Sequence, residues 1–227
     1  RPETLGSLVR AAEACRDAAL ALGTPFISGK DSLNNEFHAQ NRHLVIPPTL
    51  LISGLGIVPD VRRCVTMDLK APGNKLFLVG VTRDEGATRV PQVDLQLAPK
   101  IFARVHAAIQ AGLVRSCHDL SEGGLAVALA EMAFAGEVGA DVVGLANLAE
   151  LADHALLFSE SATRFLLEAA PAQAAKLVDL FGQEVPLLEV GQTGRETRLR
   201  IAGRTGEWLV WADLKSLKEA WQKPLRG

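Results

Sequence analysis

The sequence predicts an α+β fold in which helices cover a mixed sheet. Apolar runs of strand length alternate with helical patterns that end at glycine. Toward the C-terminus, strand-like runs follow one another without an intervening helix, which distinguishes the chain from a purely βαβ architecture. Turn-forming residues cluster at Lys70–Asn74. We therefore place a domain boundary there and expect two domains, residues 1–70 and residues 71–227.

Composition excludes several functional classes. The chain has 227 residues, of which 48% are hydrophobic and 22% charged, as in ordinary globular proteins. The formal net charge of −2 provides no electrostatic footprint for nucleic acid. We expect neither a membrane span nor a signal peptide, because glycine, proline or charge interrupts the longest apolar runs. The chain begins with Arg1 and no methionine, so we expect a fragment of a longer protein.

Cysteine and histidine spacing predicts no metal centre. Cys15, Cys64 and Cys117 are far apart and form no CxxC pair, which argues against a disulfide framework or a structural zinc site. This usage fits a reducing cytoplasm, and we expect each thiol to pack as a small hydrophobe. His38 and His43 have no acidic or histidine neighbours at the usual ligand spacing, so we expect both to be surface residues.

The first predicted domain begins with an amphipathic helix from about Leu8 to Leu22, which ends at Gly23. Short runs then predict strands at Thr24–Ser28 and Thr49–Val58, the second of them buried, followed by a helical turn at 59–63.

The second predicted domain contains more strands than helices. Helices are expected at 98–112, 126–135, 171–182 and 214–221. Strands are expected at 75–81, 113–115, 140–145, 163–168, 185–191, 197–202 and 208–211. Turns are predicted at 83–86 and at Gly194–Arg195, where a hairpin would join two strands.

A dense group of polar side chains follows the first predicted strand, at the position where α/β folds commonly bind ligands. Gly29 permits close backbone approach, and Lys30 can neutralise a phosphate. Asp31 and Glu36 can hold magnesium, and Ser32 can donate to an anion. The P-loop spacing is absent, and the structural alternative is a solvated loop.

The second candidate site is the acidic, glycine-bearing turn Ser116–Leu125, which leads into the Ala-rich helix 126–135. Asp119 or Ser121 can accept a hydrogen bond from the first helical turn. The glycine pair and the positive end of the helix dipole suit a phosphate, and a carboxylate beside it suggests bridging magnesium. The structural alternative is a capped helix after a glycine turn.

Three ordered stretches carry a family resemblance that covers essentially the whole chain. The stretches Gly23–Glu36, Cys117–Leu125 and Phe158–Phe165 resemble the motifs of formylglycinamide ribonucleotide amidotransferases, also called phosphoribosylformylglycinamidine synthases. These enzymes belong to a superfamily with aminoimidazole ribonucleotide synthetase, selenophosphate synthetase and thiamine-phosphate kinase. The resemblance implies the end of an N-terminal-type synthetase domain followed by a complete C-terminal-type domain.

The resemblance also implies an activity in purine biosynthesis. ATP activates the amide oxygen of formylglycinamide ribonucleotide, and glutamine-derived ammonia displaces phosphate. The implied partners are the first half of a duplicated synthetase and a glutaminase, and the implied location is the cytoplasm. His118 does not match the catalytic histidine of the family, which resembles a residue of the first half.

Individual positions acquire roles by the same resemblance. Gly29 matches a nucleotide-binding glycine and Ser32 a substrate-binding serine. Lys30 stands where one branch has a magnesium-binding asparagine, although the large, fused branch has Gly-Lys-Asp-Ser, as here. In that branch the acid matching Asp119 binds magnesium and the serine matching Ser121 contacts nucleotide. In the large branch, the half of the duplicated synthetase that this chain resembles retains a structural nucleotide. The resemblance therefore favours a binding role over a catalytic role for these residues.

Three readings follow. The chain is a fragment of the ATP-dependent ligase, a non-catalytic nucleotide-binding and assembly module of that ligase, or a kinase or selenophosphate synthetase of the superfamily. The first two readings are compatible, and the residues of the three motifs fit the third reading less well. An upstream extension of the reading frame supports the first, whereas a start codon at Arg1 contradicts it.

Overall fold

A computed structural model describes residues 2–32, 35–84 and 90–225. The chain divides into two compact units, Arg1–Pro59 and Asp60–Gly227, and each is described by itself. Leu33 and Asn34 of the first polar stretch, and part of the turn predicted at 83–86, lie outside the described residues.

The first unit contains one helix and one hairpin. Helix α1 (Pro2–Leu22) ends at Gly23, whose φ of +65° makes glycine the favoured residue there, as predicted. Strands β1 (Glu36–Ala39) and β2 (Arg42–Val45) pair antiparallel. The apolar face of α1 contains no buried residue in the described unit.

Two strands predicted in this unit are wrong. Neither Thr24–Ser28 nor Thr49–Val58 forms a strand, and the second is exposed rather than buried. Leu51, Leu55 and Ile57 are 89%, 90% and 92% exposed. The runs have strand composition, but a strand also requires a paired neighbour, and the described part of this unit supplies none.

The second unit contains seven strands and five helices among its described residues. The strands are β3 (Lys75–Val79), β4 (Ser116–Asp119), β5 (Gly139–Val142), β6 (Phe165–Ala169), β7 (Leu187–Gly194), β8 (Arg198–Ala202) and β9 (Trp208–Asp213). The helices are α2 (Ala98–Gln110), α3 (Gly124–Gly136), α4 (Asp153–Phe158), α5 (Pro171–Phe181) and α6 (Leu214–Gln222). Short 3-10 turns occur at Val61–Arg63, Leu145–Asn147 and Lys223–Leu225.

The seven strands form one mixed sheet in the order β4-β6-β3-β7-β5-β8-β9, which confirms the predicted fold class. The β5–β8 pair is parallel and the other pairs are antiparallel. The hairpin predicted at Gly194–Arg195 is wrong, because β5 lies between β7 and β8. Glycine permits this insertion: a Cβ at Gly191 would lie 2.1 Å from the Asp141 carbonyl, and one at Gly139 only 1.8 Å from that of Glu196.

Side chains on the two faces of the sheet form two cores. On β3, Leu76 and Leu78 pack into one core, whereas Phe77 and Val79 pack into the other. Residues of α3 and α4, with Leu214 of α6, complete the first core, and residues of α2 and α5 complete the second. Strand alternation therefore makes helices necessary on both faces.

The unit boundary falls between Pro59 and Asp60, ten residues before the cluster of turn residues. Leu69 is 1% exposed, and its N–H donates to the carbonyl of Met132 at 3.0 Å. The assignment of residues 1–70 and 71–227 as evolutionary domains stays a prediction. Within the described residues, no helix combines the length and apolarity needed to cross a membrane.

Candidate functional site

The acidic turn is positioned by β4, an edge strand that pairs with β6. The strand begins at Ser116, after the predicted 113–115, so Asp119 is its last residue. Cys117 packs beside the second core, and burial raises the pKa of its thiol to about 12 with help from the Asp119 charge. The thiol is therefore protonated at neutral pH and does not act as a nucleophile.

Asp119 and Ser121, which the sequence assigned separate roles in the same turn, interact directly with each other. The Ser121 hydroxyl donates to Oδ2 of Asp119, and this hydrogen bond holds the pKa of that carboxyl below its ordinary value. The nearby His118 ring acts in the same direction. The predicted helix cap is wrong: α3 begins after Gly123, and no side chain caps it. An ionised, exposed carboxylate beside a hydroxyl is an oxygen donor set that suits magnesium.

Gly123 and Gly124 allow the start of α3 to pack closely against the backbone at Ser159. Gly123 and Gly124 have φ values of +77° and +60°. A Cβ at Gly124 would lie 2.4 Å from the carbonyl oxygen of Ser159, which is impossible without displacement of the backbone. The N–H of Gly123 donates to Oε1 of Glu160 at 2.9 Å. One backbone donor at the start of α3 is thus already bound by a carboxylate.

His118 is held by a residue that sequence reasoning did not select. Its Nε2 atom lies 2.8 Å from Oε2 of Glu131, and its Nδ1 atom lies 3.3 Å from Oδ1 of Asp119. The indole N–H of Trp221 donates to the other Glu131 oxygen at 2.9 Å. Glu131 lies on α3 with its side chain mostly covered. A glutamate within an otherwise apolar helix was the signal available in the sequence.

These side chains line an open pocket of about 400 Å³. Its described lining residues are His118, Asp119, Ser121, Glu122, Val127, Ala128, Glu131 and Trp221. They include three carboxylates and one imidazole but no lysine or arginine. Because bare phosphate is repelled by this charge, a phosphate ligand needs a bridging cation here.

The stretch Phe158–Phe165, the third that resembles the family motifs, is hydrogen-bonded to the acidic turn. The Arg164 guanidinium is 1% exposed and donates to the carbonyl of Ser161 and the hydroxyl of Thr82, each at 3.0 Å, and to the carbonyl of Ser159. The Arg164 carbonyl accepts from the N–H of Leu120 at 3.0 Å. One buried arginine therefore connects the acidic turn to the segment that carries Glu160.

The first unit contains the other predicted ligands. Lys30 and Ser32 are brought together, since the ammonium donates to the hydroxyl at 2.5 Å and also to the carbonyl of Asp31. All three residues are exposed. A Cβ at Gly29 would meet no atom within 4 Å, so packing in this unit does not require glycine there.

Glu36 lies on β1 beside two histidines. Its Oε2 atom lies 2.9 Å from Nε2 of His43 and 3.5 Å from Nε2 of His38. The expectation that these histidines lie at the surface is confirmed. Their sequence spacing did not predict that they would lie beside each other and beside a carboxylate. The hairpin register, which ligand-spacing rules ignore, places the three residues together.

Comparison with known families identifies the second unit. The pattern of the AIR synthase related protein C-terminal domain matches residues 71–204. The chain belongs to the AIR synthase-related family. The matched region includes β3 to β8 and the complete acidic turn.

Curated relatives within this family are similar over nearly the whole chain. Phosphoribosylformylglycinamidine synthase subunit PurL of Deinococcus radiodurans is 38% identical over 100% of the chain. The PurL subunit of a Bradyrhizobium species is 35% identical over 97% of the chain. The chain spans about a third of these relatives, 32% and 31% of their lengths.

Several solved structures share the fold. Phosphoribosylformylglycinamidine synthase II of Thermotoga maritima aligns with a TM-score of 0.63 at 20% identity, covering 69% of this chain and 28% of that one. The same protein in complex with ATP gives a TM-score of 0.62. The hydrogenase maturation protein HypE aligns with a TM-score of 0.51 at 14% identity, covering 66% of this chain and 55% of that one. At these identities the alignments establish the fold alone.

Proposed function

We propose that the chain is part of an ATP-dependent ligase of purine biosynthesis. In this reaction ATP activates the amide oxygen of formylglycinamide ribonucleotide, and glutamine-derived ammonia displaces phosphate to give the amidine, ADP and phosphate. The whole-chain similarity to PurL subunits supports this assignment. The isolated chain, at about a third of their length, is expected to be inactive alone.

The observation that carries a nucleotide-binding role is the pairing of Asp119 and Ser121 in a pocket lined by carboxylates. Asp119 would hold magnesium, since its low pKa keeps it ionised at neutral pH and magnesium prefers charged oxygen ligands. Ser121 would orient Asp119 and contact the nucleotide. The metal would supply the positive charge that phosphate needs among these carboxylates.

Residues of the first unit are assigned the remaining contacts. Gly29 would contact nucleotide through its backbone, Lys30 would neutralise a phosphate and Ser32 would bind the substrate. The exposed positions of all three residues and the contact between Lys30 and Ser32 support these roles. Glu36 as a magnesium ligand stays a prediction, and its two imidazole neighbours favour softer metals.

The second candidate function is a non-catalytic module that holds a magnesium nucleotide and assembles with the other half of the synthetase. The resemblance to the large branch, in which this half retains a structural nucleotide, supports it. The bond from Gly123 to Glu160 means in either case that one backbone donor at the helix start is not available to a phosphate. In either case the proposed partners are the first half of the synthetase and a glutaminase. The proposed location is the cytoplasm.

Calorimetric titration of this chain with ADP, with and without magnesium, tests the nucleotide site. We expect magnesium-dependent binding that Asp119→Asn weakens by about tenfold or more. Asp179→Asn, on the exposed face of α5, is the matched control and should bind like the parent. Equal binding by the Asp119 variant would exclude its ligand role.

The longer protein containing this chain separates the two candidates. We would assay ATP- and ammonia-dependent amidine formation together with the nucleotide retained after purification. If the turn belongs to the turnover site, Asp119→Asn lowers kcat. If it holds a structural nucleotide, the variant loses retained nucleotide and stability while its folded fraction keeps the parent kcat.

A further inference from the structure

The β1–β2 hairpin places three potential metal ligands on one face. Glu36 and His38 are two residues apart on β1, so their side chains project to the same side. His43 on β2 is directly opposite His38 in the register. Phe37, Leu44 and Arg42 alternate onto the other face, which leaves the arginine charge away from the three ligands.

The three ligand atoms are grouped closely enough for one small cation to bind once the histidine rings reorient. The three ligand atoms lie within 4.8 Å of one another. Oε2 of Glu36 is 2.9 Å from Nε2 of His43 and 3.5 Å from Nε2 of His38. Ligands at zinc-bond lengths in a tetrahedron are about 3.3 Å apart, between these two values. We propose that Glu36, His38 and His43 form a site for a divalent late transition-metal ion such as Zn²⁺.

The donor set selects the class of metal. Two imidazoles and one carboxylate suit zinc, nickel or copper, whereas magnesium prefers oxygen ligands alone. The rings of His38 and His43 are stacked, with centroids 4.1 Å apart and an angle of 11° between their planes. To bind one ion they must tilt so that their Nε2 lone pairs converge. Because both rings are exposed, this movement disrupts no core. Water would complete the coordination.

Zinc titration of the 227-residue chain under reducing conditions tests the site. We expect one equivalent of Zn²⁺ to shift the imidazole NMR signals of His38 and His43 and leave those of His106 and His154 unchanged. Glu36→Gln and His43→Asn should each weaken zinc binding by about tenfold or more. His106→Asn removes an exposed histidine from α2 and should bind zinc like the parent.

A rescue variant separates ligation from hairpin stability. His43→Cys replaces one zinc ligand with another and should restore binding that His43→Asn loses, while backbone amide shifts of residues 36–45 show whether the hairpin persists. The proposal is overturned if His43→Asn binds zinc with the parent affinity. It is equally overturned if the first equivalent shifts His118 rather than the hairpin histidines, or if His43→Cys fails to restore binding with the hairpin intact.

Discussion

The Nε2 atom of His118 lies 2.8 Å from Oε2 of Glu131, which connects the end of β4 to the middle of α3. Glu131 simultaneously accepts a hydrogen bond from the indole of Trp221. One carboxylate therefore links the acidic turn, the helix that follows it and the C-terminal helix. We infer that it positions His118 at the pocket wall.

Glu131→Ala should reduce the free energy of unfolding by about 1–3 kcal/mol, because it leaves the mostly covered His118 ring without its acceptor and also removes the acceptor of the half-exposed Trp221 indole. Urea denaturation measures the loss, and Trp221 fluorescence should change because its indole loses a hydrogen bond. Glu150→Ala, at an exposed position, should stay within about 0.5 kcal/mol of the parent. Equal stability of the two variants would contradict the linking role of Glu131.

Ser121→Ala should raise the pKa of Asp119 toward its ordinary value of about 3.9, because the Ser121 hydrogen bond is the main cause of the lowered pKa. Carboxyl ¹³C NMR titration measures the shift. A lowered native pKa stabilises the fold above the unfolded-state pKa, and this contribution is lost as pH falls through the native value.

The Ser121 variant should therefore lose stability less steeply than the parent on acidification below about pH 4. Ser216→Ala, at an exposed position on α6, is the control and should leave the Asp119 titration unchanged. An unshifted Asp119 pKa in Ser121→Ala would show that the hydroxyl has no influence on it.

Glu168→Ala should destabilise the protein by about 3 kcal/mol or more. The carboxylate is fully buried and accepts from the side chains of Asn74 and Ser116, at 2.6 and 2.9 Å, and from the N–H of Lys70 at 2.9 Å. Removing it leaves the buried side-chain donors of Asn74 and Ser116 unpaired at about 1–3 kcal/mol each, and also the N–H of Lys70. Glu168→Gln keeps one acceptor oxygen and should fall between parent and alanine variant in chemical denaturation. A loss below 1 kcal/mol for the alanine variant would refute this account.

Gly124→Ala should cost more than Gly112→Ala although both glycines have a positive φ, +60° and +68°. A Cβ at Gly112 meets open space, so only the backbone penalty of about 1 kcal/mol applies. At Gly124 the Cβ would collide with the backbone at Ser159, which adds about 1–3 kcal/mol. Thermal and urea unfolding of both variants measure the difference, and equal costs would show that the turn relaxes freely.

Local patterns predicted most helices because each helix carries its own signals. Proline begins α5, glycine follows α1 and α5, and an unbroken run of strong helix formers makes α3. The proximity of Asp119 and Ser121 follows from the local sequence for the same reason, since they are only two positions apart. The strand at Thr49–Val58 failed because apolar composition does not supply a pairing partner.

The sequence by itself determined the fold class, most of the helix positions and the acidic turn, since local patterns specify them; α4 (Asp153–Phe158) was not predicted as a helix. Only the tertiary structure decided that β5 inserts between β7 and β8, that Glu131 holds His118, and that Glu36 meets two histidines. Strand order, cross-strand register and contacts between distant elements depend on which surfaces pack together. Those contacts join residues far apart in sequence, where local periodicity carries no information.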